Sequence, residues 1–289
     1  MKKCIDYVVP MVFPDDERWQ NGFARVNRHF HKDHVRFRSW GTERLLIKLV
    51  KKNLPFLRDI IILLARESQK QPWMDEENVR VVYHEDFIPS RFLPTFNSRA
   101  IEMFLHRIPN VSDRFLYGND DMFPVSPLME TDFFRGETPC IHMVEKPYPT
   151  NPNLFHKACL NGQNFVASFF GKHYDSVLLK NGHSIAPIPK KTCEKLWEIG
   201  GRNIENSITP FREIKNYNQY IYAWWHFFSG DYVDKELPHK YLSVKNTVAE
   251  IVNAINTKEA GVVCINDNEC AVDCEVYARP IRQALKGII

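Results

Sequence analysis

No stretch of this 289-residue chain approaches the roughly 18 consecutive apolar residues of a membrane-spanning helix, and its longest apolar run, residues 60–65, has the length of a strand. The start, MKKCIDYVV, is basic but has neither a long apolar run nor a small-residue cleavage site, which argues against a signal peptide. The seven cysteines are scattered and odd in number; none are spaced as in a zinc finger, Cys270 and Cys274 being the closest pair. A reduced, cytoplasmic protein is expected from that usage. Charge of one sign is also scarce. A net charge of +3 makes no case for a nucleic-acid partner, although local clusters can still bind phosphate or an anionic membrane face. Repeats and low-complexity tracts are absent. Against these absences stand 44% hydrophobic residues, 20 Phe among them, and an ordinary 25% charged residues, enough to bury a sizeable core in one large domain or one domain with a substantial insertion.

The stretch 93–123, LPTFNSRAIEMFLHRIPNVSDRFLYGNDDMF, organises the rest. Pro94 keeps its predecessor extended, and Asn97 or Ser98 then offers an oxygen to the free amides of a helix start. Ile101, Phe104, Leu105 and Ile108 recur at i, i+3, i+4 and i+7, one apolar face, before Pro109-Asn110 ends the helix. Phe115-Leu116-Tyr117 is a short buried strand, and Gly118-Asn119-Asp120-Asp121 follows where open α/β sheets put their ligand crevice. An Asn-Asp-Asp triplet by itself is usually a turn; two adjacent carboxylates at a strand end also suit a metal-phosphate site or an acid/base pair.

Along the chain, residues 4–13 form a first buried strand in which Asp6 is unusual, because an unpaired buried carboxylate is costly; it is either a site residue or a buried residue tied to backbone amides. His29, His31, His34, Arg36 and Arg38 crowd residues 27–38; no cysteine or carboxylate pattern closes a metal set, so a phosphate-facing loop is expected. Residues 42–53 make a helix capped by Thr42, with Leu45, Leu46, Leu49 and Val50 inward. Residues 60–64 and 79–83 are further strands. Strand, helix, strand and strand with short polar ends predict an α/β fold: a largely parallel, Rossmann-like or GT-A-like sheet flanked by helices. Residues 138–182, punctuated by Pro139, Pro147, Pro149 and Pro152, are expected to be an irregular insertion: an acceptor-side loop, a lid, or a mere surface excursion. His183 beside prolines precedes a helix of residues 190–199 that stops at Gly200-Gly201; a lone His there is more often structural than catalytic. An aromatic helix follows at 217–228, mostly core, with one or two rings as candidates to stack on a sugar. Residues 261–268 form a second strand ending in Asn-Asp, and a tail helix over 277–285 is expected to be interrupted at Pro280. If the two Asn-Asp ends converge, Asp120, Asp121 and Asp267 can hold a hard divalent cation.

Taken whole, these segments resemble the Stealth family of sugar-phosphate transferases, related to the catalytic core of the lysosomal-enzyme GlcNAc-1-phosphotransferase. The match is carried by Leu93 to Ser98, Ile101-Glu102, Ile108-Pro109 and Tyr117 with Asn119 to Asp121 for the second conserved block. Ile5-Asp6-Tyr7-Val8 with Trp19 resembles the first block, although Pro10-Met11 and Phe13-Pro14 depart from it. Arg36-Phe37-Arg38 resembles the entry to the second, His183 and Arg212 the third, and the strand ending Asn266-Asp267-Asn268 the fourth.

The resemblance implies transfer of a hexose or N-acetylhexosamine 1-phosphate from a nucleotide-diphosphate sugar to a hydroxyl of a glycan or lipid-linked glycan, giving a phosphodiester in a capsular or cell-surface polysaccharide. Asp120, Asp121, His183 and Arg212 would be catalytic, the base being His183 or one of the two Asp. Asp6, Arg36, Arg38, Asn97, Ser98, Asn119, Asn266 and Asn268 would bind substrate, and Asp121 with Asp267 would hold Mg²⁺ or Mn²⁺. Residues 1–137 would be the nucleotide-sugar core, 138–182 the acceptor-side segment, and 183–289 the completion of the same domain. Because capsule-type glycans are assembled on lipid carriers, a peripheral place at the inner membrane face fits as well. Two rivals remain: a conventional glycosyltransferase releasing nucleoside diphosphate, and a non-catalytic carbohydrate-binding protein.

Overall fold

The computed structural model describes residues 4–27, 37–267 and 274–289. His29, His31, His34, Arg36, Asn268 and Cys270, singled out above, lie outside the described residues. The centre is a five-stranded sheet in the order Ala186–Pro189, Arg114–Tyr117, Ile5–Pro10, Leu57–Leu64, Val79–Tyr83. The last four strands run parallel, and Ala186–Pro189 pairs antiparallel with Arg114–Tyr117 at one edge. Strands buried on both faces are expected to be almost continuously apolar, and alternate residues do divide between two cores. Tyr7, Val9, Ile60, Ile62 and Leu116 pack on one side; Val8, Ile61, Leu63, Phe115 and Tyr117 pack on the other.

The first face is covered by the helices Glu43–Asn53, Val248–Thr257 and Cys274–Ile288. Glu43–Asn53 turns Leu45, Leu46, Leu49 and Val50 inward as its sequence predicts. Thr42 makes no side-chain cap there; the Ser39 hydroxyl instead donates to the Glu43 carboxylate, closing the first turn from outside. Cys274–Ile288 runs through Pro280 without interruption. Its buried stripe of Ala278, Ile281, Ala284, Leu285 and Ile288 offsets the missing backbone bond.

The second face carries Leu154–Ser168, Lys190–Ser207 and Tyr220–Ser229. Gly200 does not end its helix, which continues to Ser207 through a kink at that residue. A Cβ on Gly200 would sit 2.6 Å from the Phe165 ring, so glycine serves close packing there rather than termination.

The segment 138–182 is ordered, contrary to the irregular insertion expected. Met143–Pro147 pairs antiparallel with Val177–Asn181, and Leu154–Ser168 lies between them, its first turn capped by Asn153, which accepts from the His156 amide at 3.0 Å. Pro147, Pro149 and Pro152 fall at the strand end and in the link to the helix, where no ladder or helix bond needs their missing N–H.

A second, three-stranded sheet positions the site. His239–Ser243 runs parallel to Val262–Asn266, which pairs antiparallel with Met122–Pro124. The Asn-Asp-Asp segment is therefore the bridge between the two sheets. Among the described residues, no helix is long and apolar enough to cross a membrane.

Candidate active site

The parallel strands all end on one side, and there the chain encloses a cleft of about 1230 Å³. Into it open Pro10-Met11 at the end of Ile5–Pro10, Asn119 to Asp121 after Arg114–Tyr117, Asn266-Asp267 from the second sheet, His183 from the loop before Ala186–Pro189, and Arg212. This is the place that the topology of an open α/β sheet assigns to ligands.

Asn119, Asp120 and Asp121 are both turn and site. The Met122 amide donates to the Asn119 carbonyl at 3.2 Å, closing the turn, while the two carboxylates face the cleft. Close packing beneath requires glycine at 118, since a Cβ there would lie 2.0 Å from the Tyr7 hydroxyl. The two Asn-Asp strand ends converge: the Ile265 amide donates to the Asp121 carbonyl at 2.9 Å, and Asn266 Nδ2 donates to Asp121 Oδ2 at 3.1 Å.

The adjacent carboxylates are driven apart in acidity. Burial, then Asp121, then Glu43 push the Asp120 carboxyl up to about 7. Its own surface stays open to the cleft, and water there screens part of that push. For Asp121 burial also acts upward, but His183, Asn266 and Cys264 together outweigh it and hold the group below the usual carboxylate range. His183 Nε2 stands 3.9 Å from Asp121 Oδ2, an ionic contact rather than a hydrogen bond. Its other nitrogen, Nδ1, lies 2.9 Å from the hydroxyl of Tyr220, and its ring meets Tyr241 edge-on. When the tyrosine oxygen accepts from Nδ1–H, the Nε2 lone pair is left toward Asp121 and the cleft. Asp121 Oδ1 is buried with no hydrogen-bond partner.

Arg212 is exposed at the rim, and its Nη2 donates to Ser98 Oγ at 2.9 Å. It is positioned from below by Asn97, which is fully buried. Asn97 Oδ1 accepts from the Arg99 amide as a helix cap, while Nδ2 donates to the Thr209 and Phe211 carbonyls and to Asn216 Oδ1. Both of its side-chain N–H donors are spent on clamping the loop that carries Arg212, so Asn97 acts through position rather than contact.

Two expected site residues are engaged in ion pairs. Asp6 lies at the amino end of its strand, away from the cleft, and is fully buried. Its carboxylate takes both Arg58 Nε at 2.9 Å and Nη2 at 2.6 Å, as well as the Ser112 amide at 2.8 Å. That is a structural ion pair, and the expectation that Asp6 binds substrate is corrected. Asp267 does line the cleft, but Arg38 donates to it from Nε and Nη2 and Trp40 Nε1 adds a third bond at 3.0 Å. Both of its oxygens are thus engaged by donors from the segment that enters Glu43–Asn53. Arg38, expected to meet donor phosphate, has its fork on this carboxylate while still lining the cleft.

Other residues here were not marked as site residues in the sequence. Glu102, buried, accepts from the Gln219 amide at 2.7 Å and from the Tyr117 hydroxyl at 3.2 Å, tying the floor to the start of Tyr220–Ser229. Burial raises its carboxyl above the usual range. Tyr220 and Cys264 sit in stretches whose apolar pattern reads as core; only their positions, in the aromatic helix and in the strand preceding Asn266-Asp267, hint at more.

Residues 36–140 match the model of Stealth protein CR2, conserved region 2. A capsular polysaccharide phosphotransferase, WcwK, of Streptococcus pneumoniae is 26% identical over 92% of this chain and 90% of its own length. The capsular polysaccharide phosphotransferase fcs1 of Haemophilus influenzae is 32% identical over 73% of this chain and 61% of its own. In fold, the galactosyltransferase LgtC, solved with donor and acceptor sugar analogues, superposes with a TM-score of 0.50 at 11% identity, covering 98% of this chain and 96% of that one. An α/β fold of the GT-A type with acidic strand ends in its cleft, and relatives that are phosphotransferases, define the class as a transferase. The chain carries the conserved region 2 of the Stealth family and is similar to capsular polysaccharide phosphotransferases.

Proposed function

We propose that the cleft transfers a sugar 1-phosphate from a nucleotide-diphosphate sugar to a glycan hydroxyl, forming a phosphodiester of a capsular or cell-surface polysaccharide. The observation that carries this reading is the line Tyr220–His183–Asp121, with Asp120 beside it and Arg212 at the rim, in one cleft at the strand ends. The relatives' names as capsular polysaccharide phosphotransferases support it.

In this mechanism the acceptor oxygen attacks the phosphorus nearer the sugar. The new O–P bond forms as the P–O–P bridge breaks, and nucleoside monophosphate leaves. The acceptor proton passes to His183 Nε2; Tyr220 fixes the ring, and the Asp121 charge 3.9 Å away stabilises the imidazolium that results. A positioned base of this kind contributes roughly 10²–10⁴-fold. Arg212 places its guanidinium, suited to phosphate oxygens, at the rim. Phosphoryl-type transfer is mostly positioning plus neutralisation of charge, and the cleft has the parts for both.

Asp120 and Asp121, rather than Asp267, are the candidates to hold Mg²⁺ or Mn²⁺. Such ions take one or two carboxylates and complete their shell with phosphate oxygens and water, which suits the open Asp120 carboxylate and the unpartnered Asp121 Oδ1. The ion would neutralise developing charge on the diphosphate.

The fold by itself would serve glycosyl transfer equally well. Incubation with a panel of nucleotide sugars, Mg²⁺ and acceptor glycans separates the two by the nucleotide released. Monophosphate, with a phosphodiester resonance in the phosphorus NMR spectrum of the product, is expected. Diphosphate would establish attack at the anomeric carbon and overturn the reading.

A further inference from the structure

Asp121, His183 and Cys264 bring one carboxylate oxygen, one ring nitrogen and one thiol sulfur within 4.8 Å of one another, from three separate segments. Cys264 is wholly buried beneath the cleft floor, in the strand Val262–Asn266, while the His183 and Asp121 side chains keep 27% and 20% of their surface toward the cleft. The arrangement is thus a half-open cup: sulfur at the bottom, oxygen and nitrogen at the lip, and an entry path from above.

Two further observations point to a ligand in it. Asp121 Oδ1 is buried without any hydrogen-bond partner. His183 is held at Nδ1 by the Tyr220 hydroxyl at 2.9 Å, the outer contact that orients a metal-ligating imidazole and leaves Nε2 free to bind. The donor set then decides which ion. Mg²⁺ and Ca²⁺ want an all-oxygen shell, whereas thiolate with imidazole and carboxylate suits Zn²⁺ and its soft congeners.

We propose that Asp121, His183 and Cys264 form a binding site for a thiophilic divalent cation of the Zn²⁺ type, open at its fourth position, distinct in chemistry from the hard-ion site at Asp120 and Asp121. Bond lengths of about 2.0–2.3 Å put neighbouring ligands in a tetrahedral shell about 3.3–3.8 Å apart. The 3.9 Å between Asp121 Oδ2 and His183 Nε2 needs only a small contraction to reach that. On binding, the Cys264 thiol loses its proton to solvent and sulfur becomes the third ligand. Occupancy takes the Nε2 lone pair, so the ion inhibits; that consequence rests on the function proposed above, whereas binding itself does not.

Titration of the folded, metal-stripped protein with Cd²⁺, read by the cadmium–thiolate charge-transfer band, with Zn²⁺ as competitor and excess Mg²⁺ present throughout, tests the site. The wild type should give the band with one equivalent, displaced by Zn²⁺. Cys264→Ser should abolish the one-equivalent band, and His183→Ala, which keeps the sulfur and leaves the core untouched, should weaken Cd²⁺ binding at least about tenfold. A one-equivalent band persisting in Cys264→Ser would assign the ion to another cysteine, and unchanged affinity in His183→Ala would remove the imidazole from the ligand set; either result overturns the site. In the turnover assay, Zn²⁺ should inhibit the wild type, and EDTA added only to match the Zn²⁺, with Mg²⁺ kept in excess, should restore activity; full turnover with the site loaded would overturn the inhibitory consequence alone.

Discussion

The amide of Asn266 donates to the carboxylate of Asp121 at 3.1 Å, across 145 residues of sequence. Through that bond the two Asn-Asp strand ends of the chain become a single floor. Asp121 gains an orienting donor from the second sheet on one side and the His183 ring on the other. Its acidity, its direction and its reach into the cleft are set by residues from three segments, so the reactive centre exists only once both sheets have docked.

His183→Ala should leave the protein folded and lower turnover by roughly 10²–10⁴-fold, the loss of a general base. Tyr220→Phe removes only the hydroxyl that fixes the ring and should cost up to about 10²-fold in kcat with KM little changed. Steady-state kinetics on both variants, with circular dichroism to confirm folding, checks the pair. Wild-type turnover in His183→Ala would remove it from the mechanism.

Asn97→Ala should act on stability and catalysis together. It deletes a helix cap and strands buried partners at Thr209, Phe211 and Asn216, about 2–4 kcal/mol in denaturant unfolding. By loosening the loop under Arg212 it should also raise KM for the donor. A destabilised variant with unchanged KM would show that Arg212 is positioned by something else.

Gly118→Ala and Tyr7→Phe should differ in sign. The added Cβ would meet a fully buried tyrosine hydroxyl at 2.0 Å, so Gly118→Ala should cost on the order of 1–3 kcal/mol and displace Asp120. The Tyr7 hydroxyl is buried with no partner, so Tyr7→Phe should be neutral or stabilising. Thermal melts decide both.

His84 should give the fold an acid-sensitive limb. Burial lowers it from 6.5 to about 4. Between those values the unfolded chain binds the proton and the folded one does not, so stability falls as pH drops through that window. His84→Gln should flatten part of the decline seen in melts between pH 6.5 and 4. His106, lowered to about 4 by burial and by Arg107 and Lys190, keeps the remainder.

The sequence showed the floor of this site and hid its walls. Apolar runs ending in Asn-Asp are local patterns, as is the capped turn at Asn97, and both stand where expected. Asp6 misled because a carboxylate inside a buried strand looks functional until its partner is known, and Arg58 is 52 residues away. Asp267 misled similarly, its Arg38 lying 229 residues upstream. The prolines of 138–182 suggested an irregular segment because proline marks where an element ends as readily as where none exists. Tyr220 and Cys264 were illegible since hydrophobic surroundings are the same for a core residue and for one that touches a cleft from beneath.

The central claim is attack at phosphorus, and one isotope experiment reads it directly. A donor labelled with ¹⁸O in the bridge between the anomeric carbon and its phosphate is turned over with acceptor, and the glycan product is analysed by mass. Transfer of the sugar 1-phosphate keeps the labelled bridge in the product phosphodiester, the result this account predicts. Label found instead in a released nucleoside diphosphate would place the attack on carbon and contradict it.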